Sequence, residues 1–388
     1  MSNFAYRPPL IFFASVSCLL LAASAQAIDF DVENTKVTLY GFAKLNMIYD
    51  ADADLGNAGN NRAIRLDDQK GSDGHTTIHA YHSRLGFTTA TPVQGSTLKT
   101  RMEIDWFDEG GGDARLRHFY GEWNNILAGK TWTNFGTVET GPKIINVRPA
   151  PGQSKVGRKA QLRYSWNNWH VALETPDPEY YTDEVAVGFN ANSGGYQTSS
   201  DYKEGLPDLT LRYQNAWNGF SYAVSGMVRQ LEVDDGGAND DSAVGWGLNL
   251  AAKYALGERV TLRAELSHGD GIGEYMQGNP SAPAYYDGDK VETIKATGGI
   301  LGTSVAIGPG EAHLAYSITN ADLDDLKKTD LPNVDAANKR FENVYLNYIW
   351  TPVKNIDYGL ETSYQTRKVA DGRDGDALRF QGMVRYRF

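Results

Sequence analysis

Polar and apolar positions alternate along this chain with a period of two, most clearly over its last eleven residues, 378–388. Leu378, Phe380, Gly382, Val384, Tyr386 and Phe388 fall on one face, while Arg379, Gln381, Met383, Arg385 and Arg387 fall on the other. Alternation of this kind is the mark of a β-strand. In a soluble sheet the apolar face would cover a core. In an outer-membrane barrel it would meet lipid, and the charged face would line a water-filled lumen.

The rest of the chain favours the barrel. Alternating segments recur at 37–50, 76–90, 96–107, 115–123, 126–132, 158–166, 169–175, 207–216, 219–231, 243–255, 258–269, 290–306, 311–320, 340–350, 355–367 and 376–388. This predicts about sixteen strands, many of them near the ~9–11 residues that a tilted membrane strand needs. No amphipathic helix of convincing length interrupts them. The connections alternate strictly between tight turns (92–95, 124–125, 167–168, 218–219, 256–257, 308–310 and 351–355) and long polar loops (51–75, 108–114, 133–157, 176–206, 232–242, 270–289, 321–339 and 368–375). Outer-membrane barrels alternate in this way because their periplasmic turns are short and their outer loops long, and an even strand number puts both termini on the periplasmic side. The fold class expected is therefore all-β, a transmembrane antiparallel barrel.

Three of the tight turns pair tryptophan with asparagine: Trp123-Asn124-Asn125, Trp166-Asn167-Asn168-Trp169 and Trp217-Asn218-Gly219-Phe220. Asparagine accepts the positive φ of two-residue hairpins, and tryptophan beside it suits the lipid–water boundary. An ordinary hairpin with a packed aromatic would look the same in one copy, but three copies on one side favour an aromatic girdle.

The amino terminus sets the compartment. Arg7 is the only charge before Asp29, an apolar stretch runs over 10–25, and Ala25-Gln26-Ala27 is an A-x-A cleavage pattern. Residues 1–27 read as a signal peptide with Ile28 as the first mature residue. A membrane anchor would need about 20 apolar residues, and Ser15-Val16-Ser17 before Cys18 fits a lipoprotein site poorly. The single cysteine of the chain, Cys18, is lost with that peptide, so disulfides contribute nothing. The net charge of −11 becomes one unit more negative on losing Arg7. Glycine, 41 of 388 residues, exceeds the usual ~7%, and 22 tyrosines with 8 tryptophans suit strands, turns and girdles. Residues 28–36 are then a short periplasmic segment and 37–388 the barrel.

Most acids fall in the long loops, at 50–54, 177–184, 232–241, 322–330 and 371–376, where solvated charge explains them. Asp50-Ala51-Asp52-Ala53-Asp54 starts like a calcium loop, but Leu55 stands where an EF-hand needs glycine and Asn61 where it needs glutamate. Basic residues instead concentrate, by parity, on the expected lumen face: Lys44, Arg84, Lys99, Arg101, Arg115, Arg117, Lys130, Lys159, Arg163 and Arg212. Charge on the lipid face would cost about 2–4 kcal/mol near mid-membrane, which is why they are placed inside. Glu103 and Asp105 share that face and are expected to pair with some of them. The 133–157 loop is also basic, with Lys143, Arg148, Lys155 and the adjoining Arg158 against Glu139, and suits a loop folded inward as a constriction. A basic ladder can attract anionic solutes through guanidinium–carboxylate contacts. Its bland counterpart is arginines and acids bracing the wall, as expected for Arg379, Arg385 and Arg387.

Catalytic signals are thin. The segment 124–131 ends in Gly129-Lys130-Thr131 like a phosphate-binding loop but lacks its first glycine. His75, His79 and His82 cluster in sequence, yet strand parity turns His82 away from the other two. No metal site, cofactor, nucleic-acid partner or catalytic residue is assigned.

The chain resembles the DcaP-like porins from Val37 to Phe388. The resemblance rests on Tyr40-Gly41-Phe42-Ala43-Lys44-Leu45 through Ile48-Tyr49-Asp50, Ser83-Arg84-Leu85-Gly86-Phe87, Leu116-Arg117-His118-Phe119-Tyr120-Gly121-Glu122, Gly129-Lys130-Thr131-Trp132-Thr133-Asn134-Phe135, Arg163-Tyr164 and Leu206-Pro207-Asp208-Leu209-Thr210-Leu211-Arg212-Tyr213. It implies a sixteen-stranded barrel, a homotrimer, a constriction loop after the fifth strand and selectivity for small anions, dicarboxylates among them. It also implies that Phe388 is the signal read by the barrel-assembly machinery. Two departures stand out. Members can carry a coiled coil before the barrel, whereas only Ile28 to Lys36 stand before the first strand here; and Lys130 replaces a glutamine of the family pattern.

The expectation is a passive, anion-preferring outer-membrane channel whose constriction is lined by Lys99, Arg101, Arg115, Arg117, Lys130, Arg148 and Arg163. The alternatives are a closed structural or adhesive barrel, or a barrel hydrolase.

Overall fold

The computed structural model describes residues 27–388 except 109, 138–139, 155–156, 177–179, 182–201, 204, 235–239, 288 and 332. Residues 1–26, nearly all of the segment expected to be a signal peptide, together with Glu139, Lys155 and most of the fourth long loop, therefore lie outside the described residues. Sixteen antiparallel strands close into a barrel. In chain order they are β1 (Thr35–Asp50), β2 in two pieces (His75–His79 and Arg84–Val93), β3 (Ser96–Asp108), β4 (Asp113–Trp123), β5 (Ile126–Trp132), β6 (Arg158–Trp166), β7 (Trp169–Glu174) and β8 (Asp208–Trp217). The second half comprises β9 (Phe220–Asp234), β10 (Asp240–Leu256), β11 (Val260–Asp270), β12 (Lys295–Ile307), β13 (Gly310–Ala321), β14 (Asn338–Val353), β15 (Ile356–Val369) and β16 (Asp374–Arg387). Each strand pairs with the next, and β16 returns to β1 from Phe42↔Arg387 to Asp50↔Arg379. These strands fall on the sixteen alternating segments, with ends displaced by a few residues.

The alternation sorts side chains as the barrel requires. On β1, Leu45, Met47 and Tyr49 are exposed on the outer wall while Lys44, Asn46, Ile48 and Asp50 are buried. The turn chemistry also holds: Asn124, Asn125, Asn167 and Asn218 all take positive φ. Aromatics join into a belt near that end, with Tyr164, Trp166, Trp169, Tyr213, Tyr222 and Phe220 in successive ring contacts and Tyr348, Trp350 and Tyr358 in another run.

Two features depart from a regular barrel. Residues 28–36 are more than a leading segment: Ile28–Val32 forms a strand that pairs with Thr35–Leu39 and continues the edge of β1 that β16 leaves unpaired. The chain ends just above it. Phe388 exchanges backbone hydrogen bonds with Gly41 at 3.0 and 3.1 Å, and a Cβ on Gly41 would lie 2.7 Å from the Phe388 ring. Glycine is needed there because the terminal aromatic lies against the backbone. The second departure is the break in β2 at residues 80–83. β1 pairs with one piece through Asn46–Asp50 and with the other through Lys36–Phe42, and the Lys44 amide donates to Ser83 Oγ across the gap at 3.0 Å.

Candidate functional site: a guanidinium-lined passage

The wall of β2–β4 carries a dense ionic cluster. Glu103 accepts from Arg101 Nη2 at 2.6 Å, Arg117 Nε at 2.7 Å and the Tyr40 hydroxyl at 3.0 Å, and lies 3.3 Å from Arg84 Nε. Asp105 takes a two-pronged contact from Arg115 at 2.9 and 2.8 Å and another from Arg117 at 2.7 Å. Both acids are buried, so the fork geometry of arginine is used to orient four guanidiniums toward the lumen. Arg158, at the start of β6, lies over the Trp132 ring at 3.7 Å from its centroid, a cation–π contact.

The third long loop enters the lumen and is held by three buried carboxylates on three different strands. Glu174 of β7 accepts from Thr133 Oγ1 at 2.6 Å and from the Asn134 amide. Glu265 of β11 accepts from Thr140 Oγ1 and from the Ser154 amide and hydroxyl, both at 2.9 Å. Glu361 of β15 accepts from the Ile145 and Asn146 amides at 2.7 and 3.2 Å, and Lys44 donates to the Ile145 carbonyl at 3.0 Å. A buried loop must satisfy its backbone groups, and these acids do so. Two residues beyond the Glu361 clamp, Arg148 projects into the passage. Burial, together with the nearby Arg62 cation, pushes Arg148 down to about 10, so it remains charged at neutral pH.

Glu361→Ala should leave two buried amides without acceptors, at about 1–3 kcal/mol each. The expected result is a detached loop: higher single-channel conductance and new protease cleavage around 143–149, with the barrel intact.

Two further loops fold inward, which the sequence reading did not anticipate. The sixth long loop turns through Gly273–Tyr275 and is joined to the third by Gly152 N→Gln277 O at 2.7 Å and Gln277 N→Gln153 O at 2.8 Å. Gly152, at φ +82, lies so close to β12 that a Cβ would meet Gly299 N at 2.7 Å. The first long loop buries Leu55 and Ile64 against Ala377 and is tied by Arg367 to the Ile64 carbonyl at 2.9 Å and by Arg379 to the Gly56 carbonyl at 2.8 Å. Arg62 then reaches the Asn279 carbonyl of the sixth loop at 2.8 Å.

Between these loops and the wall lies a cavity of about 1130 Å³, lined by Arg62, Arg84, Arg115, Arg117, Arg148 and Arg158, with His82, Phe107 and Trp132. Among the described residues, Asp54 and Glu274 are the acids on its lining. Arg148 and Arg158 have no carboxylate partner among the described residues.

Of the residues expected to line the constriction, Arg115, Arg117 and Arg148 lie here, together with Arg84 from the wider ladder. The others are placed differently. Lys44 pins the third loop and bonds His82 at 3.1 Å. Arg212 donates to the Asn134 and Gly136 carbonyls, so it braces the root of that loop. Arg101 is held by Glu103 and Tyr40. Lys99 and Arg163 face inward opposite Glu122 and Leu127, outside the cavity lining.

Lys130 is a correction: it does not face the lumen. A bulge leaves Arg117 unopposed on β4, so Arg117 and His118 are both buried while Phe119 is 57% exposed. The inward parity shifts by one residue there. Lys130 pairs with Phe119 and Ala160 on the outer face, and Leu127 and Thr131 point inward instead. Arg158 and Arg62 were missed as pore residues. Arg158 could have been found from its place at the root of a basic loop. For the first and sixth loops the signal was apolar residues, Leu55, Ile64, Ile272 and Met276, in segments otherwise read as long polar loops.

The model of the DcaP outer membrane protein family matches residues 21–388. Among solved structures the chain resembles the outer membrane channel DcaP of Acinetobacter baumannii, with 25% identity over 92% of this chain and 99% of that one and a TM-score of 0.79. It also shares its fold with Salmonella typhi OmpF in complex with daunomycin (11% identity, 93% and 100% coverage, TM-score 0.58). The anion-selective porin of Comamonas acidovorans is similar in fold as well (14% identity, 91% and 100% coverage, TM-score 0.57). No curated protein matches. The chain therefore belongs to the DcaP outer membrane protein family and has the channel-forming barrel of the Gram-negative outer membrane.

Proposed function

We propose that the protein is a passive, anion-preferring diffusion channel for small carboxylates, dicarboxylates being the class best suited to guanidiniums on facing surfaces. The observation that carries this reading is the imbalance of charge on the cavity lining: among the described residues, six arginines stand against Asp54 and Glu274. Arg148 on the loop and Arg158 on the wall, without carboxylate partners among the described residues, are the groups available to a solute carboxylate. Guanidinium forks bind carboxylates with defined geometry, and a ring of fixed cations favours anion entry.

A homotrimer accompanies this reading. Lys130 stands on the outer wall, where an uncovered charge costs about 2–4 kcal/mol near mid-membrane, and a neighbouring copy would cover it. Phe388, seated against Gly41, is proposed as the terminus read during barrel assembly.

Planar bilayers holding the full-length mature protein under a KCl gradient test the channel. The expected reversal potential has the sign of chloride preference, and succinate reduces the chloride current. A clear potassium preference refutes the selectivity, and intact protein without conductance favours a closed structural barrel.

A further inference from the structure

The cavity of an anion channel gains nothing obvious from a carboxylate, yet Glu274 is held there by a built turn. Its loop is fixed on both sides. Tyr275 donates to the buried carboxylates of Glu174 and Asp208, at 3.1 and 2.9 Å, and Asn279 Nδ2 donates to the Gly273 carbonyl at 3.2 Å. Gly273 itself takes φ +56, so the backbone enters the turn in a conformation that favours glycine. Glu274 is thus aimed rather than free to swing to solvent. Its carboxylate meets Lys159 Nζ at 2.6 Å, with the lysine side chain 5% exposed behind it and the glutamate 28% exposed toward the cavity. On the adjoining segment the same carboxylate lies 3.9–4.0 Å from where a Cβ on Gly157 would stand, which places it against the backbone at the root of the third loop.

We propose that Glu274 is a selectivity and release residue of the passage: a fixed counter-ion that competes with solute carboxylates for its cations. This rests on the anion-passage reading above and deepens it. Conduction requires a site attractive enough to fill and weak enough to empty. Without Glu274, the arginines of the lining, Arg148 and Arg158 above all, would hold a dianion too long. The Glu274 carboxylate on the lining neutralises Lys159 and repels the solute once it has arrived, trading affinity for turnover.

The charge acts over a few ångströms in a water-filled lumen. Its removal should therefore raise the chloride-over-potassium permeability ratio by about two- to fivefold at low salt, less at high salt. The test uses the full-length channel in planar bilayers and liposomes, comparing wild type with Glu274→Gln and Glu274→Asp. For E274Q the expected results are a higher chloride ratio, succinate block at lower concentration and slower maximal succinate flux; E274D, which keeps the charge, should stay near wild type. A merely structural role would lower conductance without this split between tighter block and slower flux. Should E274Q fail to insert, Glu274→Ser gives the same reading with a smaller side chain. A chloride-preferring wild type with an unchanged ratio and block in E274Q overturns this inference alone. A potassium-preferring wild type overturns the anion reading itself, whatever the variant does.

Discussion

Replacing Arg148 and Arg158 together by alanine is expected to lower the chloride-over-potassium permeability ratio by about an order of magnitude at low ionic strength, with a smaller fall in high salt. The expectation follows from what each pore cation is bound to. Arg84, Arg101, Arg115 and Arg117 share Glu103 and Asp105, so much of their field is cancelled within the wall. Arg158 instead rests on Trp132, and Arg148 stands at the tip of a clamped loop; neither charge is offset by a carboxylate partner among the described residues. Removing both takes away the uncompensated part of the field from two sides of the passage. Reversal potentials under a KCl gradient provide the measurement. Lys130→Gln is the matched control: it also deletes a positive charge of the basic ladder, but from the outer wall, and should leave the potential unchanged. An unaltered ratio in the double variant, or a loss in the Lys130 variant equal to it, would contradict the site as described.

The second large effect concerns stability. Glu103→Ala should destabilise the folded barrel by about 3–5 kcal/mol, the range for removing one partner of a buried ion cluster. Glu103 is 1% exposed and faces Arg84, Arg101, Arg117 and Tyr40 at once. Without it Arg117, 6% exposed on its side chain, would keep Asp105 as its one carboxylate partner among the described residues. Among the described residues, the hydrogen bond left to Arg101 would be its donation to Tyr40 at 2.8 Å. Urea unfolding of the protein refolded into lipid vesicles measures the loss. Glu122→Ala on the same wall lacks such a cluster and should cost far less. Equal stability of the E103A barrel would mean that the guanidiniums find solvent or loop carbonyls instead.

Much of the fold is legible in the sequence because each level repeats the same message. Strand alternation, Asn-Gly turn chemistry and the strict exchange of short and long connections all depend on neighbours within a few residues. The cation ladder was readable for the same reason wherever parity held, as at Arg84, Arg101 and Arg115. It failed at Lys130, since one bulge at Arg117 reverses every later side chain on the strand and passes the shift to β5 through the pairing register. The roles of Lys44 and Arg212 were hidden for another reason. Parity places a side chain in the lumen, but whether it lines a passage or pins a loop depends on which backbone carbonyl arrives there. Ile145 is 101 residues from Lys44, and Gly136 is 76 from Arg212.

The sequence by itself determined an all-β barrel with long loops at one end, a basic inner wall and a basic third loop, because a two-residue period and local turn preferences are properties of adjacent residues. Only the tertiary structure decided where the passage runs. It brought the first, third and sixth loops together, set Glu174, Glu265 and Glu361 as clamps on the third, and separated cations offset by acids from those left to face a solute. Those outcomes depend on closure of the barrel and on contacts between distant segments, which no local pattern encodes.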